Sequence, residues 1–229
     1  MKSLLIRALG IPVFIALSAS AFPSTFTFTG SDNQGGVPQN GSVTFTINSS
    51  DLMITLTNTG GPGQVQNIAS ELDGLKFTLT GGSALLNPAS LTGSNPDGAI
   101  DCAGVSVCTP VTVVSPFGWG LSGGPTFQLA AGGGSFKPDA IVNSNVVAPG
   151  GNGGVSNAQH NPLLLGPVTF DIGFTGTAPT GIGNVVLQFG TGPADVTGTA
   201  VPEPSLSGFL LLSLIGVALV VRRKVAVIQ

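Results

Sequence analysis

Few residues in this chain are of types that do chemistry, and their spacing narrows what each could do. Cys102 and Cys108 are the two cysteines, separated by Ala103-Gly104-Val105-Ser106-Val107. Two thiols this close are expected to pair in an oxidising compartment. Closing so short a loop gains about 2 kcal/mol of chain entropy. A metal would need further Cys or His ligands, and His160, the sole histidine, is far away in sequence. His160 stands in Asn157-Ala158-Gln159-His160-Asn161-Pro162, a turn-like run. No Gly-x-Ser-x-Gly elbow accompanies it, so a Ser-His-Asp site is not expected. Glu71 and Asp73 are a close carboxylate pair, the raw material of glycoside hydrolysis. They flank a turn before an apolar alternation and read as turn residues. Asn95-Pro96-Asp97-Gly98-Ala99-Ile100-Asp101 and Asp32-Asn33 gather side-chain oxygens, without the further carboxylates and closing Glu of an EF-hand loop. Calcium is the one cofactor these loops admit, and no resident cofactor is expected. Trp119 lies between Phe117-Gly118 and Gly120 in a chain with no tyrosine. A sugar platform would need exposed aromatics, so the expected role of Trp119 is a core plug at one end of a sandwich. No catalytic set emerges, and the chain is not expected to be an enzyme.

The elements that must carry these residues are strands. Phe26 and Phe28 alternate with Thr25, Thr27 and Thr29. Val43, Phe45 and Ile47 lead through Asn48-Ser49-Ser50-Asp51 to Leu52, Ile54 and Leu56, which reads as a hairpin. Leu75, Phe77 and Leu79 follow. Further on come Val168, Phe170, Ile172 and Phe174, then Val185, Leu187 and Phe189. Each set puts apolar side chains on one face and polar ones on the other. Less regular strands are expected over Val105–Val114, Thr126–Ala131 and Ile141–Val147. Thr191–Ala200 reads as a last strand or a linker, and Ala148–Gly154 as a surface loop. About eight to ten short strands with one buried face each predict an all-β, jelly-roll-like sandwich of two sheets. No fixed repeat supports a solenoid or propeller.

Composition agrees. Gly and Pro number 35 and 17 among 229 residues, and charged residues are only 7%. Abundant small and β-branched residues with few Glu, Lys and Arg suit strands and turns. Five of the seven basic residues, Lys2, Arg7, Arg222, Arg223 and Lys224, flank apolar segments at the two ends. Between Phe22 and Pro204, Lys76 and Lys137 stand against all ten carboxylates, a formal charge of −8. Such a region repels phosphate backbones, so nucleic acid is excluded as a partner.

The ends read as export signals. Lys2 and Arg7 precede the apolar run Ala8–Leu17, and Ala19-Ser20-Ala21 supplies the small-x-small pattern that signal peptidase requires. Residues 1–21 are therefore expected to be a signal peptide, cut after Ala21. Ten apolar residues are too few to span a hydrocarbon core of ~30 Å. At the other end, Val201-Pro202-Glu203-Pro204-Ser205 precedes Leu206–Val221, a charge-free segment, and then Arg222-Arg223-Lys224. Pro202 and Pro204 hold Glu203 extended. As a helix, Leu206–Val221 would reach about 24 Å, and snorkelling of Arg222 and Lys224 makes up the shortfall. The basic cluster stops transfer and keeps the C-terminus cytoplasmic.

This arrangement resembles the PEP-CTERM sorting domain of Gram-negative bacterial surface proteins. Pro202, Glu203 and Pro204 match its recognition motif, Leu206–Val221 its single transmembrane helix, and Arg222, Arg223 and Lys224 its basic stop. Val225–Gln229 extend slightly beyond the pattern. The resemblance covers residues 201–224 and implies cleavage near the motif by exosortase, a membrane-embedded cysteine protease. It also implies association with exopolysaccharide. The expected organisation is a signal peptide at 1–21, a β-sandwich ectodomain at 22–200 and the sorting tail at 201–229. The expected protein is exported and held transiently in the inner membrane with its ectodomain in the periplasm. It is then released to the cell surface or biofilm matrix. The rival expectation is a stably anchored adhesin or carbohydrate-binding module.

Overall fold

The computed structural model describes residues 23–34, 36–61, 67–105, 107–131, 140–144, 155, 158–190 and 194–202. The expected signal peptide at 1–21, the expected Ala148–Gly154 loop, Lys137, and residues 203–229, including the Leu206–Val221 segment, lie outside the described residues. Among the described residues no helix is long and apolar enough to cross a membrane.

The chain opens with three long strands, β1 (Ser24–Gln34), β2 (Val37–Ile47) and β3 (Asp51–Asn58). β4 (Leu72–Thr80) crosses to a second sheet. β5 (Leu85–Leu86) and β6 (Thr92–Ser94) return to the first. The second sheet then takes β7 (Ala99–Asp101), β8 (Thr109–Val111), β9 (Trp119–Gly123), β10 (Thr126–Ala131), β11 (Ile141–Asn143) and β12 (Leu163–Gly166). β13 (Val168–Thr175) rejoins the first sheet, and β14 (Gly181–Phe189) and β15 (Ala194–Thr197) the second. β16 (Thr199–Val201) ends on the edge of the first sheet, which runs β16-β1-β2-β3-β13-β5, with β6 also on β13. The second runs β15-β14-β4-β11-β12-β7-β8, with β10 on β4 and β9 on β10. Among the described residues all strand pairs are antiparallel except β11 with β12. The fold is thus all-β in two sheets, as the alternation predicts.

The larger of two apolar clusters fills the space between the sheets. From the first come Phe28, Val43, Phe45, Ile54, Leu56, Phe170 and Ile172, and from the second Leu75, Phe77, Leu129, Leu187 and Phe189. The hairpin between β2 and β3 turns where expected. The Asn48 N–H donates to the Asp51 carbonyl at 3.0 Å, and the Asn48 side-chain amide donates to the Asp51 carboxylate.

Two irregularities shift the phase of the alternation. On β14, Gly183 pairs with Thr78 but Val186 pairs with Lys76, so β14 carries one extra residue there. Asn184 sits in that bulge at φ 48°, a left-handed conformation that Asn tolerates better than most residues. The bulge lets both Ile182 and the odd-numbered run Val185, Leu187 and Phe189 face inward. On β4, a second shift at Asp73 brings both Leu72 and Leu75 inside.

The strand expected over Val105–Val114 is shorter than the reading implied. Thr109–Val111 pairs with β7, while residues 102–105 turn and 107 bends. The Cys102–Cys108 link closes this turn, and a closed loop cannot run straight. The described part of Ile141–Val147 is strand at Ile141–Asn143 and turns at Ser144. Thr191–Ala200 holds β15 and the start of β16, with the chain crossing between sheets at Gly198.

Candidate functional site

Cys102 and Cys108 are joined by a disulfide, with Cα atoms 4.2 Å apart. Cys102 is fully buried in a second, smaller apolar cluster with Ile100, Ala140, Val142, Val155 and Leu163. Asn161 pins this cluster. Its Oδ1 accepts from the Cys102 N–H at 2.8 Å, and its Nδ2 donates to the Val155 carbonyl at 2.6 Å. Both bonds are buried, so each satisfies a backbone group that water cannot reach. The disulfide closes the turn at Cys102, and Asn161 ties that turn to the loop that carries His160. His160 itself lies half-buried in the short 3₁₀ turn Ala158–His160. Among the described residues of that run, its neighbour Asn161 is the buried one.

Glu71 and Asp73 sit at the entry to β4. Glu71 is buried at the junction between a 3₁₀ turn and β4, where its N–H donates to the Ile68 carbonyl at 3.0 Å. Asp73 is half-buried at the β4 irregularity. Glu71 therefore ends a turn before a strand, as expected, and neither carboxylate lines the grooves described below. In the Asn95–Asp101 run, the Asn95 side-chain amide donates to the Gly98 carbonyl. Asp101 Oδ1 accepts from the Ala103 N–H at 2.8 Å. Asp32 Oδ1 accepts from the neighbouring Asn33 N–H at 2.7 Å. These side chains bond within their own turns. Among the described residues, no group of three or more His, Cys, Asp or Glu is placed to hold a metal ion.

Trp119 is buried at 3% exposure, with its ring centroid 5.0 Å from that of Phe170. It bridges β9 of one sheet and β13 of the other, and its face is spent on the core instead of solvent. The approach to it is tightly packed. A Cβ placed on Gly93 would lie 2.6 Å from the Phe117 ring, so only Gly fits beneath that ring. The Gly93 N–H donates to Ser115 Oγ at 2.7 Å. Beside Trp119 runs a groove of about 600 Å³, lined by Pro116, Gly120, Leu121, Ser122, Gln128 and Ala130. A second, polar groove of about 460 Å³ lies at the far end of β1 and β2, among Thr29, Ser31, Asn40, Thr59, Thr197 and Thr199.

The outer faces of the two sheets differ. On the second, Gln128 donates to Gln188 at 2.9 Å and Gln188 donates to Asp195 at 3.0 Å. Lys76 closes the row on Asp195 at 3.1 Å. Gly74 makes this possible, because a Cβ there would lie 2.9 Å from Gln188 Oε1. The first sheet presents Thr instead, with Thr27 Oγ1 3.2 Å from Thr44 Oγ1 and Thr55 Oγ1 2.9 Å from Thr169 Oγ1. The single-strand alternation at Thr25, Thr27 and Thr29 signals one edge of this face. Its extent depends on strand register, which sequence spacing does not supply.

Of the expected motif, Pro202 is described and Glu203 and Pro204 are not. β16 pairs Thr199, Ala200 and Val201 with Thr29, Phe28 and Thr27. Val201 and Pro202 are exposed. The folded body therefore extends through Val201, one residue past the expected ectodomain boundary. No family model matches the chain, and no curated protein or solved structure is significantly similar to it.

Proposed function

We propose that this chain is a non-enzymatic exported protein of the cell surface or extracellular matrix, delivered by a PEP-CTERM-type tail. The observation that carries this reading is the position of β16. It is an exposed edge strand that ends at Val201, directly before Pro202. The motif thus leaves the body from an extended, accessible segment, the form a protease groove takes. The disulfide adds support, since such links persist in oxidising compartments outside the cytoplasm. In this reading signal peptidase removes residues 1–21 and Leu206–Val221 holds the chain in the inner membrane. An exosortase-type protease then cuts near Pro202-Glu203-Pro204 and frees a jelly-roll-like sandwich. Association with exopolysaccharide follows from the resemblance of the tail.

Replacing Pro202, Glu203 and Pro204 together by alanine tests the reading. Fractionation should then find full-length chain in the inner membrane, and mass spectrometry of the native protein should find a new C-terminus near Pro204. An intact Arg222-Arg223-Lys224 end on the native protein would instead make it a stable membrane-anchored adhesin.

A further inference from the structure

The strands around the disulfide form a patch of their own. β11, β12, β7 and β8 are short, and among the described residues β11 joins β4 through the single pair Ile141 with Leu72. Successive residues of a strand face opposite ways, and this patch is apolar on both faces. Ala99, Ile141 and Leu164 belong to the large core between the sheets. Ile100, Val142 and Leu163 face away from it, into the smaller cluster. The outer face of such a sheet commonly meets water. Here Ala140, Val155 and Cys102 cover it, and the half-buried Cys108 packs against them.

The two cysteines are held differently. Cys102 is fully buried, and its N–H is fixed by Asn161 Oδ1. The chain that returns to Cys108 has weaker ties. Gly104, Val105, Val107, Thr109 and Pro110 are exposed. The Ala103 and Val105 N–H groups donate to Asp101 Oδ1 and the Cys102 carbonyl, bonds that stay within the turn. β8 pairs with β7 over three residues, and the middle one, Pro110, has no N–H to give. Val111 at its end packs against the large core and supplies a hinge. We infer that the Cys102–Cys108 bond is a redox latch, fastening residues 103–105 and 107–110 as a flap to the pinned Cys102. Oxidised, the flap is shut over the small cluster. Reduced, it swings about Val111 and bares that cluster while the sandwich stays folded. Since Cys108 is the less buried partner, a thiolate of a dithiol reductant attacks at Cys108 Sγ, and Cys102 Sγ leaves and takes a proton. The reductant's second sulfur then displaces Cys108 Sγ, which takes the other proton. Two electrons pass to the cysteines, and the reductant departs as its own disulfide. The latch belongs to the folded body and does not depend on the tail. On the export reading proposed above, it closes once the chain has left the reducing cytoplasm.

The test is hydrogen exchange by mass spectrometry on the full chain, purified in detergent, before and after reduction by dithiothreitol. Reduction should speed exchange at residues 103–111 by at least roughly 30-fold, the change that releasing so short a loop entails. Exchange in β1, β2, β3 and β13 should be unchanged. Oxidised glutathione should restore the protection. Cys102→Ala with Cys108→Ala should exchange as the reduced chain does and ignore dithiothreitol. Should that pair not fold, Cys108→Ala alone takes its place. Faster exchange in every strand alike would make the disulfide a staple of the whole fold and overturn the inference. So would unchanged exchange at 103–111 in the reduced chain, a disulfide that dithiothreitol leaves intact in the folded chain, or protection that re-oxidation does not restore.

Discussion

The ring of Phe45 on β2 lies 5.2 Å, centroid to centroid, from the ring of Phe77 on β4. Both residues are fully buried, and they belong to opposite sheets. Phe28 packs edge-on against Phe45 at 6.0 Å, and Phe127 stacks on Phe77 at 5.6 Å. A file of four rings therefore runs across the interface between sheets.

Phe45→Ala removes a ring from the middle of this file and leaves a cavity that the stiff ladders on either side cannot collapse. The expected loss is about 3–5 kcal/mol, read from urea unfolding followed by Trp119 fluorescence. Against a typical total of roughly 5–15 kcal/mol, the variant should be marginal at 37 °C. Thr57→Ala on the outer face should change stability by under about 0.5 kcal/mol. Equal effects from the two would mean that the sheets are not held together through this contact.

The disulfide and Asn161 should act on the same small cluster. Reduction, or Cys102→Ser with Cys108→Ser, removes a loop constraint of about 2 kcal/mol. Asn161→Ala leaves the buried Cys102 N–H and Val155 carbonyl without these partners, at about 1–3 kcal/mol for each such group. Because both changes loosen one turn, the double variant should lose less than the sum. Strict additivity in denaturation measurements would show that Asn161 supports something other than the disulfide turn.

Much of this architecture is legible in the sequence because β1, β2, β3 and β13 are long and each buries one face. Phe45 and Ile54, for example, occupy the same face in the expected hairpin and in the fold. β5, β6, β7 and β11 have two or three residues each, too few to display a period. Phase shifts at Asn184 and Asp73 break the alternation in β14 and β4, so neither strand reads as one unit. The site was less legible than the fold. The Thr25-x-Thr27-x-Thr29 run is visible, but its alignment with Thr44 and Thr55 is a fact of pairing, not of spacing. The burial of Trp119 against Phe170 follows the expected plug role, while the groove beside it depends on β9 folding back on β10.

Asp171, opposite Met53 in the pairing of β13 with β3, should give the protein a small acid-side preference. Its pKa is raised, first by partial burial and second by the nearby Asp51 carboxylate. A raised carboxyl pKa means that the folded state binds more protons than the unfolded one in the window just above 3.8. Stability is then undiminished below that value and declines as pH rises through the folded pKa. Asp171→Asn should therefore raise the urea midpoint at pH 7 and leave it nearly unchanged at pH 3. The gain is modest because the group is largely solvated. A lower midpoint at pH 7 would mean that the charged Asp171 makes a favourable contact that outweighs the repulsion.

The attachment of β16 bears on how the tail could be processed. Thr199, Ala200 and Val201 are held by pairing with Thr29, Phe28 and Thr27, and Pro202 follows at once. A protease that grips several extended residues on each side of its cut must compete with this ladder. Three edge pairs are few enough to peel away and re-form. Opposite residues in an antiparallel pair lie about 4.5–5.5 Å apart at Cα, within disulfide range. The pair Thr29→Cys with Thr199→Cys should therefore cross-link β16 to β1 on oxidation. In cells, the cross-linked chain should accumulate with its C-terminus intact, whereas either single variant should be trimmed at the native rate. Mass spectrometry of the envelope fraction separates the two forms, and peptide mapping checks that Cys102 still pairs with Cys108. Trimming of the cross-linked chain at the native rate would show that the cut lies far enough beyond Val201 for the strand to stay in place.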